Sequence, residues 1–433
     1  MGFELSFIVP LAIVIATYGF IAFDLMHRTV AALLGALLLV NLGYMAPDVA
    51  LAKVNMDTIL LLLGMMLILS VVEKVGFFEL LTLRVLSLSG RSLWRLLVVL
   101  VVTTAVLSAF LDNVTTVMLL CPVVLEITLL MDINPMPFLL AMAFASNIGG
   151  TATLIGDPPN IMIGTATDFS FMEFMVNLGP IVALNVVVLL GYIWYVFRDQ
   201  IPDEEIGPEC IRECKRRFRR RDTSKLNRCL IIFIITLVAF MFHEELHLKS
   251  YLVALSGGTA LLLLTKIRPE QAMRDIEWST LVFFAGLFVV VGALEEIGLS
   301  DALAGGLLQL TEEARNQLQM GLSTESVLIP FIIGIGGVLS GLLGAIPNTA
   351  AMIPVIDSLH TTLGNDGLWW ALSLGACFGG NATLIGTSAN VVVAGLSERE
   401  GYPVSFRAFM KYGIPLTILT LTTSMIYVNL LYT

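Results

Sequence analysis

Apolar residues fall into blocks of the length that bridges a bilayer, roughly 20 residues for a helix, at positions 3–23, 29–45 and 57–73. A shorter amphipathic piece follows at 77–88, with Arg84 and Arg91 near its end. Positions 93–131 are too long for one crossing and too short for two, and Asp112-Asn113-Val114-Thr115-Thr116 interrupts them. That pattern predicts a re-entrant hairpin whose polar tip stops at mid-membrane. A broken segment at 138–166 and a crossing at 174–197 complete the set. The break is Ser146-Asn147-Ile148-Gly149-Gly150-Thr151-Ala152-Thr153-Leu154-Ile155-Gly156-Asp157-Pro158-Pro159-Asn160. Adjacent prolines remove two amide donors and the glycines lower helix propensity further, so this run cannot stay helical. At membrane depth, broken backbone is tolerated only where it is buried in protein or lines a polar cavity.

The pattern then returns. Under a shift of 222, Gly35, Pro47, Ala50, Thr58, Gly64, Glu73 and Gly76 fall on Gly257, Pro269, Ala272, Thr280, Gly286, Glu295 and Gly298. Under a shift of 232, Asp112 to Pro122 falls on Gly344 to Pro354. The break itself recurs as Cys377-Phe378-Gly379-Gly380-Asn381-Ala382-Thr383-Leu384-Ile385-Gly386-Thr387-Ser388-Ala389-Asn390. Paired interrupted segments in corresponding halves are the best sequence pointer to a transporter's binding site. The expectation is an all-α polytopic membrane protein built as two inverted repeats. Each holds about five transmembrane helices, with two re-entrant hairpins and two broken helices in the whole. The domains are 1–197, a basic cytoplasmic linker at 198–228, and 229–433.

Charge orients this arrangement. The linker contains ten of the 24 Lys and Arg residues, including Lys215-Arg216-Arg217-Phe218-Arg219-Arg220-Arg221. Cytoplasmic loops carry such excess, and Arg84, Arg91, Arg95, Lys266, Arg268, Arg274, Arg399, Arg407 and Lys411 land on the same side. Glu296, Asp301, Glu312, Glu313 and Glu325 land opposite, with both termini. Composition agrees: 57% of the 433 residues are hydrophobic and 13% charged, against about 25% charged in soluble proteins. The net charge of −10 averages over two sides of a membrane and offers no basic face to a nucleic acid. Five cysteines imply no disulfide framework. The first apolar run has no basic leader or small-residue cleavage site and reads as a retained helix. The expected location is the cell (inner) membrane, multi-pass, in contact with lipid. A homodimer, or a soluble ATPase docked on the linker, stays open at this point.

Phe110-Leu111-Asp112-Asn113-Val114-Thr115-Thr116, followed by Asn147 to Asn160, resembles the ion transporter superfamily. Within it the chain looks most like the branch of ArsB arsenite permeases, NhaD antiporters and the melanosomal P protein. The resemblance covers nearly the whole chain and implies two hairpins and two unwound helices meeting at a central site. There is a departure. Members often carry an Asp-Asn pair in the second hairpin as well, where this chain has Gly344 and Ala345 followed by Ile346-Pro347-Asn348-Thr349, and Thr387 stands in place of Asp157.

The breaks supply the candidate chemistry. For substrate binding they offer Asn113, Thr115, Thr116, Asn147, Thr151, Thr153, Asn160, Asn348, Thr349, Asn381, Thr383, Ser388 and Asn390, nearly all neutral donors and acceptors. Any single Thr among them can equally serve to satisfy unwound backbone. Asp112 and Asp157 differ in kind. A carboxylate at bilayer depth costs about 2.5–3.5 kcal/mol even on lenient scales and is a functional candidate by default. Both are assigned to proton coupling, Asp112 in the leading role, with N-capping the structural alternative for Asp157. No Lys or Arg lies in any of the four breaks, which argues against dicarboxylates and phosphate. The favoured function is proton-coupled efflux of arsenite or antimonite, small inorganic solutes, since arsenite is a neutral trihydroxide at pH 7. The alternative is a sodium(lithium)/proton antiporter, with Asp112, Asn113 and nearby carbonyls as oxygen ligands. Cys121 and Cys377 lie near corresponding breaks and read chiefly as packing residues. Glu73 and Glu295 read as interfacial. His243-Glu244-Glu245-Leu246-His247 matches the zinc-protease pattern and keeps an intramembrane metalloprotease as a remote alternative. No cofactor is implied.

Overall fold

A computed structural model describes residues 2–202, 205–207, 223–318 and 323–433. The described residues of the first half form α1 (Gly2–Ala22), α2 (Arg28–Asn41), α3 (Pro47–Lys53), α4 (Met56–Lys74) and α5 (Phe77–Ser89). Then come α6 (Leu93–Ser108), α7 (Asn113–Leu130), α8 (Met136–Gly150), α9 (Pro158–Thr167) and α10 (Phe171–Phe197). The second half runs α11 (Thr223–Met241), α12 (Ser250–Thr265), α13 (Pro269–Met273), α14 (Trp278–Glu296) and α15 (Leu299–Leu318). It continues with α16 (Thr324–Leu343), α17 (Ala345–Leu363), α18 (Gly367–Gly379), a 3-10 turn (Gly380–Ala382), α19 (Ser388–Arg399) and α20 (Phe406–Tyr432). Lys215 to Arg221 of the basic linker lie outside the described residues.

Among these helices six are long and apolar enough to cross a membrane: α4, α7, α10, α14, α16 and α20. The chain is a multi-pass, all-helical membrane protein. Helices α2, α6, α8 and α12 are apolar but only 14 to 16 residues long. Local chemistry sets several boundaries. Ser170 and Glu173 close a capping box at the start of α10, and Asn55 caps α4 by accepting from the Thr58 amide, each satisfying amides a helix start leaves unpaired.

The helix α8 runs straight through the glycine pair, and unwinding is confined to residues 151–157. Gly149 is there for close approach rather than for breaking the helix. A Cβ on it would lie 2.1 Å from the Ala105 carbonyl oxygen of α6. In the second half Gly379 meets the Gly337 carbonyl at 2.4 Å in the same sense. The hairpins differ at their tips. Residues 109–112 join α6 to α7, whereas the single residue Gly344 joins α16 to α17 with φ +92°. Only glycine adopts that backbone at little cost, so the tighter second tip excludes an aspartate at the position matching Asp112.

Packing between the halves is reciprocal. Gly64 of α4 abuts the Ala254 backbone of α12, and Gly286 of α14 abuts the Ala32 backbone of α2, residues related pairwise by the 222 shift. Two ion-pair clasps also relate this way. Lys53 bonds Glu295 at 2.5 Å and Glu296 at 3.4 Å, while Lys74 pairs with Asp275. The shift carries Lys53 onto Asp275 and Lys74 onto Glu296, so the signs are exchanged while the pairing is kept. The hydrogen bond to Glu295 holds the Lys53 ammonium above its ordinary pKa.

Candidate transport cavity

The two hairpin tips and the two broken helices converge on a cavity of about 450 Å³. The first half contributes Asp112, Asn113, Thr115 and Asp157; the second contributes Gly344 to Pro347, Thr387 and Ser388. Its mouth carries Asp24, Arg28, Glu73, Asp275 and Glu277. The described lining thus holds six carboxylates and one guanidinium, with Asp275 paired to Lys74 outside it.

Asp112 and Asp157 have unequal surroundings. Asp112 is the N-cap of α7, its Oδ2 accepting from the Thr115 amide at 3.1 Å and from the Thr115 hydroxyl at 3.4 Å. Asp157 occupies the N-cap position of α9 but makes no capping bond. Its Oδ1 accepts from Asn113 Nδ2 at 3.4 Å, and its Oδ2 is buried without a hydrogen-bond partner among the described residues. The capping role considered for Asp157 therefore falls to Asp112.

Behind Asp157 an amide network ties the halves together. Asn113 Nδ2 donates to Asn147 Oδ1 at 3.3 Å. Asn147 Nδ2 faces three acceptors, Asn381 Oδ1 at 2.8 Å, Thr387 Oγ1 at 3.0 Å and Asn390 Oδ1 at 3.1 Å. An amide nitrogen carries two hydrogens, so at most two of these bonds are made at once.

The remaining polar candidates serve the backbone. Asn160 donates to the Thr151 and Thr153 carbonyls, both at 2.9 Å. Asn390 does the same for Gly380 and Thr383 in the second half. Asn348 donates to the Gly336 carbonyl. The hydroxyls of Thr116, Thr151, Thr153, Thr349 and Thr383 all donate to carbonyls. Of the thirteen binding residues expected from sequence, Asn113, Thr115 and Ser388 line the cavity, and the other ten are not among its lining residues. Cys121 and Cys377 are fully buried, the Cys377 thiol donating toward Asn160 Oδ1 at 3.8 Å.

Two residues at the site were not among the binding candidates drawn from the sequence. Thr387 lines the cavity and accepts from Asn147. Arg28 reaches the second break, donating to Ser388 Oγ at 3.0 Å and toward Thr280 Oγ1 at 3.5 Å. The breaks contain no Lys or Arg of their own, and the cation comes from elsewhere: Arg28 is remote in sequence, and a charge at the start of an apolar run reads only as an interfacial flank. Glu73, expected at the interface, lines the mouth, while Glu295 pairs with Lys53.

The His243–His247 motif does not form a helix. Its residues lie in a turn, His243 accepts from the Phe171 amide through Nε2, and its Nδ1 meets the Leu248 carbonyl. Both ring nitrogens are thus committed to backbone, which disfavours a zinc site there.

Comparison with known proteins finds a transporter family and other membrane proteins. Residues 18–375 match the family described as citrate transporter (CitMHS). A 46 kDa membrane protein of Mycobacterium leprae is 37% identical, with 98% of this chain and 99% of that protein covered. The P protein of Mus musculus is 31% identical across 96% of this chain and 59% of its own length. Among solved structures, the YdaH transporter of Alcanivorax borkumensis aligns with a TM-score of 0.60 at 14% identity, covering 88% of this chain and 85% of that one. That last likeness is one of fold.

Proposed function

The chain belongs to the citrate transporter (CitMHS) family of the ion transporter superfamily, a family of transporters rather than enzymes, and we propose that this secondary transporter is a proton-coupled exporter of arsenite or antimonite. The charge balance of the cavity carries the reading. Free citrate, the substrate in the family's description, would bring three carboxylates to a lining that already holds five carboxylates outside the Lys74 pair against one guanidinium. At an effective dielectric of about 20, each like-charge pair 8 Å apart costs roughly 2 kcal/mol. A neutral trihydroxide adds no charge and offers both donors and acceptors.

Asp157 is proposed as the principal proton carrier and Asp112 as its capped neighbour. The unpartnered Oδ2 of Asp157 supports this order. The same oxygen, with Asn113 beside it, also favours a second reading, sodium(lithium)/proton antiport. The two halves are proposed to lie inverted in the membrane, with 1–197 and 229–433 as repeats and 198–228 as the cytoplasmic linker. Reciprocal glycine contacts and the charge-exchanged clasps support that arrangement. The deciding experiment is a transport screen of purified protein in liposomes with arsenite, antimonite, sodium, lithium and citrate under an imposed pH gradient. Arsenite or antimonite movement is the expected result; movement of sodium or lithium alone would replace it with the antiporter reading.

A further inference from the structure

Arg28 sits where a cation gains nothing from its own helix. It is the first residue of α2, the positive end of a helix dipole. Its two hydroxyl partners repeat the situation: Ser388 opens α19, and Thr280 lies in the first turn of α14. A guanidinium is therefore held at the meeting of three helix N-termini. Its face lies over the Phe283 ring, 5.5 Å from the centroid. No ion pair joins it to a carboxylate among the described residues. Glu277 lies close by but takes the Thr280 hydroxyl at 2.9 Å.

Such a placement leaves at the cavity wall a cation that makes no direct ion pair among the described residues. Two of the five guanidinium donors are used by the hydroxyls. The same cavity is lined by Asp157, whose Oδ2 has no hydrogen-bond partner among the described residues. The cavity thus offers an acceptor at the first-half break and, at the second, a forked donor with the Glu277 carboxylate nearby. A bare metal cation would meet Arg28 only as a repulsive charge. A solute that bears oxygen acceptors would be gripped by it.

We infer that Arg28 is a specificity-determining residue that selects oxygen-bearing solutes by donating hydrogen bonds to them. This deepens the proposed function and rests on it for the identity of the solute. Two sources share the chemistry, the hydroxyls of a neutral oxyacid such as arsenite and the carboxylates of an organic acid such as citrate. Both are tested.

The experiment measures arsenite, citrate and sodium transport in liposomes for the wild type, Arg28→Gln and Arg28→Lys. For whichever oxygen-bearing solute the wild type carries, Arg28→Gln should raise KM by about 10- to 100-fold, the range of one lost charge-assisted hydrogen bond, with maximal rate nearly kept. Arg28→Lys, which keeps the charge but not the fork, should fall between. A KM within about twofold of wild type for Arg28→Gln overturns the inference while leaving arsenite export standing. Citrate transport that collapses in Arg28→Gln, with no arsenite transport in the wild type, removes the arsenite reading and supports Arg28. Sodium transport alone, unimpaired in Arg28→Gln, overturns both. Should Arg28→Gln fail to reach the membrane, Ser388→Ala and Thr280→Val decide together, because each removes one of the two hydroxyls that aim the guanidinium. KM should then rise about threefold or more, and an unchanged KM refutes the role.

Discussion

Replacing the two buried aspartates one at a time separates capping from coupling. Asn is as good an N-cap as Asp, so in Asp112→Asn a side-chain oxygen can still accept from the Thr115 amide, now 3.1 Å away. The variant should keep α7 in place at a cost within about 0.5 kcal/mol and leave coupling largely intact. Asp157→Asn likewise keeps shape, since Oδ1 can still accept from Asn113 Nδ2. It removes the carboxyl whose Oδ2 has no partner, and with it the capacity to take up and release a proton. One unit of pH difference stores about 1.4 kcal/mol per proton, which sustains roughly a tenfold concentration ratio at one-for-one exchange. Liposomes with a one-unit gradient should therefore accumulate arsenite up to about tenfold with wild type, nearly as much with Asp112→Asn, and not at all with Asp157→Asn. Counterflow of labelled substrate, which needs no proton, should survive in both variants. If Asp157→Asn still accumulates arsenite while Asp112→Asn only equilibrates it, the ranking drawn from capping geometry is wrong.

Other expectations are more local. Gly149→Ala places a methyl 2.1 Å from the Ala105 carbonyl and should cost about 1–3 kcal/mol or more through overpacking. Gly191→Ala, where nothing lies within 4 Å, should leave the melting temperature unchanged or raised; equal melting of the two variants would refute the close contact. Asn147→Ala strands buried acceptors of the second half at about 1–3 kcal/mol each, so thermal melting in detergent should fall by several degrees, and an unchanged midpoint would argue that the network is not formed. Single cysteines at Arg268 and Glu313 should react with a membrane-impermeant reagent from opposite sides; labelling from one side would overturn the inverted arrangement.

Periodicity and composition carried most of the architecture. Blocks of apolar residues, two polar interruptions and their return at fixed shifts were enough to place hairpins, broken helices and a membrane location, because the bilayer permits few backbone solutions. The same reasoning brought Asp112, Asn113, Asp157 and Ser388 to one cavity. What the linear pattern could not reveal was allocation. Whether an Asn faces the cavity or a carbonyl depends on which unwound amides lack partners, and that is settled only when the breaks fold against each other. So Asn160 and Asn390 proved to be backbone supports, and Asp112, rather than Asp157, took the cap. Arg28 could not be found from sequence at all, because 360 residues separate it from Ser388. The loss of the second acid reads as a functional choice in one dimension and as a backbone requirement in three, since Gly344 alone turns the hairpin at φ +92°. Sequence periodicity reports which face of a helix is apolar, whereas the chemistry of this cavity depends on which chain ends meet, and only the packed structure determines that.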